Sequence, residues 1–215
     1  MSRAALTLVG RHSSHYTRIV SIYAAELGID CTFEPVFDIG STDTHVFGEN
    51  PLLRVPSLTT PEGTWFGSLN ACRELARRSS AGVPLIWPED HTTPLGANAQ
   101  EITTDAMITG VVIVTSRLHA VADDAPSLTK PFARLRGAVA WLEANLDAAL
   151  APLPEHRLSF LEVSAYCLLT HLGFRELLSI EDRPRLGAFC RRFGARPSAL
   201  ATGYYFDRPA VAPAR

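Results

Sequence analysis

The segment Asn50-Pro51-Leu52-Leu53-Arg54-Val55-Pro56-Ser57-Leu58 constrains the chain more than any other, because its second proline stands at the mouth of an apolar strand. Proline has no amide hydrogen for a β-ladder, so within a sheet it occupies a strand's first residue, an edge or a bulge. Pro56 therefore marks where a strand opens. A Val-Pro bond also adopts cis at modest cost, and a cis bond here turns the carbonyl and amide of Val55 outward as a docking edge for a peptide-like ligand. An ordinary trans proline at a strand start is the commoner reading of these nine residues alone. The flanks decide how the segment is used.

Upstream, Ala5 to Gly10 is a compact apolar run, long enough for a buried strand and too short for a helix. After the loop Arg11-His12-Ser13-Ser14-His15, the residues Tyr16, Ile19, Val20, Tyr23, Ala24 and Leu27 form an apolar helical stripe ending at Gly28. Ser13 or Ser14 is placed to cap that helix. Cys31 to Phe37 reads as a second strand, and a strand-helix-strand crossover is right-handed and parallel. Asp38 to Glu49 is polar, with Val46 and Phe47 to anchor it, and predicts a loop with a short helix. Val55 to Thr60, the turn Pro61-Glu62-Gly63 and Thr64 to Phe66 make a hairpin, after which Ser68 caps a helix to about Ser79. The small sheet that results is mixed, with four strands.

Three prolines and a glycine between Ala81 and Pro94 predict a linker. Beyond it the pattern is helical: Gln100 to about Val121, Ser127 to Leu150 with its stripe Phe132, Leu135, Val139, Leu142 and Leu146, then Pro152 and Pro154 as stops. Ser159-Phe160-Leu161-Glu162 has the form of a capping box, opening a helix to Phe174 that is apolar nearly all round. Arg185 to Phe193 and a turn at Ser198 to Tyr204 complete the bundle. The expected division is an α/β unit at 1–80, a linker at 81–94 and an all-α unit at 95–215.

Composition narrows the function classes. A net charge of −2 supplies no basic field for nucleic acid, and no stretch approaches the roughly 20 apolar residues of a membrane span. The N-terminus has no secretory pattern, and Cys31, Cys72, Cys167 and Cys190 are scattered without Cys-x-x-Cys spacing. Free thiols in a reducing cytoplasm are the expectation, with neither a disulfide frame nor a metal site.

A βαβ-ββα module followed by a helical bundle resembles the cytosolic glutathione transferase family across almost the whole chain. Ser14 falls where that family places its catalytic serine or cysteine, Val55-Pro56 matches its cis-proline, Gly67-Ser68 lies where Glu-Ser or Gln-Ser is usual, and Ser159 to Glu162 is similar to its capping box. The resemblance implies a thioredoxin-like N-terminal domain, glutathione as co-substrate, attack of its thiol on a small apolar electrophile, and a homodimer. It implies that Val55 pairs antiparallel with the tripeptide, that Arg54 meets the glycine carboxylate, and that Ser68 holds the γ-glutamyl carboxylate. His15, Tyr16, Thr104, Met107, Ile108 and Val111 would line the second substrate's cleft. Met107 and Val111 read equally well as core, Asp105 as a surface charge, and Arg54 as one more solvated arginine.

Chemically, a thiolate gains from a hydroxyl donor and from the positive end of a helix, and Ser14 is placed to supply both; Ser13 is the other candidate. Two departures from the family stand out. Gly67 offers no acid for the γ-glutamyl ammonium, which predicts weak binding that Gly67→Glu should strengthen. His15 replaces a proline and forms an i, i+3 pair with His12, read here as two solvent-facing loop residues. Gly67 also keeps open a non-catalytic binding module, and an isomerase or lyase remains a further reading. Thiol-disulfide exchange is disfavoured because no cysteine occupies the active loop. Phe47 is expected either as an apolar key at the dimer contact or as packing within its own module.

Overall fold

A computed structural model describes residues 6–155 and 157–208. The chain divides into two compact units, one reaching Gly82 and taking back the segment from Pro197, the other spanning Val83–Arg196.

The first unit contains β1 (Leu6–Gly10), α1 (His15–Glu26), β2 (Cys31–Pro35), a 3-10 turn at Thr44–Phe47, β3 (Ser57–Thr60), β4 (Gly63–Phe66) and α2 (Ser68–Arg78). Its sheet has the order β2-β1-β3-β4, with β1 and β2 parallel and the other neighbours antiparallel, as the mixed-sheet reading requires. The register places Val9 opposite Ser57, and Ser57 opposite Phe66. Helix α1 buries Ile19, Val20, Ile22 and Tyr23 completely, each worth roughly 1.5–3 kcal/mol for the aliphatic side chains, and packs beside α2. Gly10 is where β1 passes closest to α1: a Cβ there would stand 2.8 Å from the Thr17 hydroxyl. Phe47 is 1% exposed and packs with Val9 and Val36, so it belongs to this unit's core and is not an exposed key. Its carbonyl also accepts the Ser57 hydroxyl at 2.8 Å.

The segment after Pro197 departs from the expected division. Helix α7 (Pro197–Ala201) and the residues up to 208 pack on α1, not in the helical bundle. Arg18 explains why. The residue is 6% exposed and its guanidinium donates to the Ala199 carbonyl at 3.1 Å, so this segment supplies an acceptor to a cation that α1 carries into the interior of the unit.

The second unit holds β5 (Leu85–Ile86), a 3-10 turn at Pro88–Asp90, α3 (Pro94–Leu118), α4 (Pro126–Leu150), β6 (Leu158–Ser159), α5 (Phe160–Phe174) and α6 (Pro184–Gly194). Helix α3 begins six residues before the expected Gln100. Pro94 and Gly96 read as breakers, but proline is tolerated in a first turn, and Thr93 caps the helix by accepting from the Gly96 amide at 3.2 Å. The expected linker is partly structured: Leu85 and Ile86 pair in parallel with Leu158 and Ser159. Ser159 caps α5 through the Glu162 amide at 3.4 Å, while the Glu162 carboxylate faces Arg157 at 3.3 Å. Twelve of the fifteen residues of α5 are buried, which agrees with its apolar composition on every face.

Candidate active site

The sheet register brings three loops to one edge of the first unit. β1 ends at Gly10, β3 begins at Ser57 opposite Val9, and β4 ends at Phe66 opposite Ser57. The residues that leave these ends are 11–14, 54–56 and 67–68, which include every residue expected from sequence to hold glutathione or activate its thiol. The Gly67 amide donates to the Pro56 carbonyl at 3.0 Å and ties two of the loops together. The Val55–Pro56 peptide bond is cis. Pro56 is buried and Val55 half-buried, while the Arg54 side chain is exposed and its carbonyl accepts from the Asn50 side chain at 2.9 Å.

Ser14 is the N-cap of α1. Its backbone is extended and its hydroxyl oxygen accepts from the Thr17 amide at 3.3 Å. A hydroxyl that accepts one hydrogen bond still has its own proton to donate. Capping therefore leaves Ser14 able to serve a second partner, at a helix terminus whose dipole favours negative charge. Ser14 is half-buried, whereas Ser13 is 1% exposed and turned into the unit.

At the third loop the expected cap is displaced by one residue. Gly67 is the N-cap of α2, without a side-chain cap, and Ser68 is the first helical residue, 9% exposed. Gly67 has φ 81° and ψ 156°. That region is essentially reserved for glycine and costs other residues about 1–3 kcal/mol. No heavy atom lies within 4 Å of where a Cβ would stand. The obstacle to an acid at this position is thus the backbone, not space, so Gly67→Glu carries a folding cost beside the contact it would make.

The histidines are not solvent-facing. His15 is 1% exposed, with its ring tilted against Tyr16 at 4.4 Å. His12 Nδ1 lies 2.6 Å from an Asp207 oxygen, and its ring stacks against Tyr205. His15 is the first residue of α1 and His12 is met by Tyr205 and Asp207, and neither placement follows from the local sequence.

Of the residues expected along the second substrate's cleft, Tyr16 is half-buried in the first unit. In the second, Met107 is 2% exposed and part of the core, and the Thr104 hydroxyl turns back to the Gln100 carbonyl at 2.9 Å. Ile108 and Val111 are exposed on α3. Asp105 is paired with Arg134. Cys31 is pushed up to about 11, by burial first and by the charge of Asp30 second, which keeps it a thiol at neutral pH. Among the described residues no group of three or more His, Cys, Asp or Glu could hold a metal ion, and no helix is long and apolar enough to cross a membrane.

No family model matches the chain, and no curated protein sequence does. Solved structures do. A glutathione S-transferase from Methylobacillus flagellatus KT, with glutathione bound, superposes with a TM-score of 0.75 at 20% identity, covering 94% of this chain and all of that one. A glutathione transferase family member from Pseudomonas fluorescens Pf-5, also with bound glutathione, gives 0.74 at 26% identity with the same coverage of both chains. A glutathione S-transferase from Methylobacterium radiotolerans JCM 2831, in complex with glutathione sulfonate, gives 0.72 at 19%, covering 98% of this chain and all of that one. The fold is that of the glutathione S-transferases, with a thioredoxin-like N-terminal sheet and a helical C-terminal region.

Proposed function

We propose that the first unit binds glutathione at the edge formed by residues 11–14, 54–56 and 67–68, and that the protein is a glutathione transferase acting on a small apolar electrophile. The observation that carries this reading is Ser14, a half-buried N-cap with a hydroxyl proton left to donate, at the same sheet edge as the cis Val55–Pro56 bond. The glutathione and glutathione sulfonate in the similar structures support it.

In this mechanism the cysteinyl thiol of glutathione loses its proton to solvent, the thiolate attacks an electrophilic carbon, and the carbon–sulfur bond forms as the carbon's leaving group departs with its electron pair, or as the π-electron pair of an activated double bond shifts away and is then protonated by solvent. Ser14 donates to the thiolate and the α1 N-terminus stabilises its charge, so more of the bound thiol is ionised at neutral pH. Val55 pairs with the tripeptide backbone and Arg54 meets its glycine carboxylate. Ser68, at the start of α2, meets the γ-glutamyl carboxylate through its hydroxyl and amide. The ammonium beside it finds no acid at Gly67. A second reading, a binding module without catalysis, is favoured by that one feature. The protein is further proposed to form a homodimer, supported by the exposed apolar residues Ile108, Val111, Val112 and Leu118 on α3.

Calorimetric titration with glutathione separates the readings: the transferase binds it, and absence of binding leaves the non-catalytic module. In the binding protein, Ser14→Ala should raise the bound thiol's pKa and reduce turnover at least about tenfold, equivalent to about 1.4 kcal/mol. Ser14→Thr retains hydroxyl and cap and should keep most of the activity. Turnover unchanged in Ser14→Ala but lost in Ser13→Ala would move the role by one residue.

A further inference from the structure

The segment from α7 to residue 208 runs back along α1, from that helix's C-terminal end to its N-terminal end. The Ser198 hydroxyl donates to Glu26 at 2.5 Å. Next, Arg18 reaches the Ala199 carbonyl and lies 4.4 Å from the centroid of the Tyr204 ring. Last, Asp207 reaches the loop between β1 and α1. One of its oxygens accepts the His12 amide at 2.9 Å and the other lies 2.6 Å from His12 Nδ1. The His12 ring is held between Phe33 of β2 at 3.9 Å and Tyr205 at 4.2 Å.

The Asp207 side chain is 5% exposed. A carboxylate so far out of water is costly unless it is paired and hydrogen-bonded, and here one loop residue answers both oxygens. Because an ionised carboxylate only accepts, Nδ1 of His12 carries the proton of that bond. The clamp thus fixes the backbone and the ring of His12 together, two residues before Ser14. A donor aimed at a developing thiolate is effective only if it is held in place beforehand.

We infer that Asp207 is a positioning residue: through His12 it fixes the β1–α1 loop and with it the direction in which Ser14 presents its hydroxyl. The inference rests on the proposed role of Ser14. Asp207 is placed to act through His12, a partner 195 residues away in the chain.

The test compares full-length Asp207→Ala with the wild-type protein in two measurements. Amide hydrogen exchange without ligand reads the loop: the amides of residues 11–14 should exchange about tenfold faster or more, while those of β3 keep wild-type rates. Titration of bound glutathione by thiolate absorbance reads the site: the thiol pKa should rise and kcat fall about threefold or more, with KM for glutathione nearly unchanged. Asp207→Asn keeps an oxygen for the His12 amide but loses the charge on the ring; it should fall between, and it serves if Asp207→Ala does not fold. Ser198→Ala removes an anchor at the far end and should leave exchange at 11–14 at the wild-type rate. Unchanged exchange at 11–14 in both Asp207 variants overturns the clamp, whether or not glutathione binds. Faster exchange with an unchanged thiol pKa and kcat overturns the positioning role. A wild-type protein that binds no glutathione overturns the reading of Ser14 and the positioning role with it, while the exchange result still decides the clamp.

Discussion

At Gly67 two demands meet in one residue. The proposed ligand has an ammonium that an acidic side chain here would satisfy, and a charged hydrogen bond of that kind contributes about 1.5–3 kcal/mol. The backbone at φ 81° charges an L-residue about 1–3 kcal/mol. The two act on different equilibria: the strain is present with and without ligand and lowers folded stability, whereas the contact forms only in the complex. Gly67→Glu is expected to lower unfolding free energy by about 1–3 kcal/mol and to tighten glutathione binding by about tenfold, whereas Gly67→Ala carries the strain with no new contact. Urea denaturation of both variants, with calorimetry of the first, checks this; a Gly67→Glu protein as stable as the wild type would show that the loop relaxes freely, and an unchanged affinity would show that the ammonium is met elsewhere. Ser14 separates in the same way into a cap and a donor. Ser14→Ala should cost about 0.5–2 kcal/mol of stability as a lost cap, measured without ligand, independently of any effect on turnover.

Two elements depend on a single close approach. β1 meets α1 at Gly10, where a methyl group would strike the Thr17 side chain, and Thr17 also accepts the Arg11 amide at 3.3 Å. Gly10→Ala is expected to destabilise by about 1–3 kcal/mol through overpacking and to displace the start of α1, which thermal melts and the Ser14 environment by NMR would report. In the second unit, Gly96 lets α3 start beneath His91, since a Cβ there would lie 2.9 Å from His91 Nδ1. Burial lowers the His91 pKa below 6.5, with the charge of Asp90 opposing. The unfolded state therefore takes up the proton more readily, so this contribution to stability is complete above pH 6.5 and is lost as pH falls through the folded-state pKa. His91→Gln should flatten the acid side of the stability profile just below pH 6.5, measured as urea midpoints; an unchanged slope would place the dependence elsewhere.

At the scale of the molecule, the chain returns after its helical unit to finish the unit with which it began. Arg18, Glu26 and His12 on the first unit each meet a residue of the 198–207 segment, so truncation before Pro197 should destabilise the first unit, not the second. Phe47 is core of that same unit, and Phe47→Ala is expected to cost about 3–5 kcal/mol in a thermal melt without altering how chains assemble. The proposed homodimer is checked by sedimentation at micromolar concentration, where a monomer would count against it.

What the sequence determined by itself was local. Pro56 opens a strand because it has no amide hydrogen, the apolar stripe of α1 follows its helical period, and Ser159 caps α5, all from bonding reach within one turn or one strand. The order of strands and helices followed from these. Between Ser13 and Ser14 as the cap of α1 the sequence left a choice, and the structure places the cap at Ser14. Only the tertiary structure decided the pairing of Leu85–Ile86 with Leu158–Ser159, the conformation that reserves position 67 for glycine, and the clamp of Asp207 on His12. Each depends on groups far apart in the chain, or on a backbone angle imposed by neighbouring strands. Burial makes such pairings necessary, because a polar group left unpaired away from water is costly, and that burial exists only once the chain has closed around them.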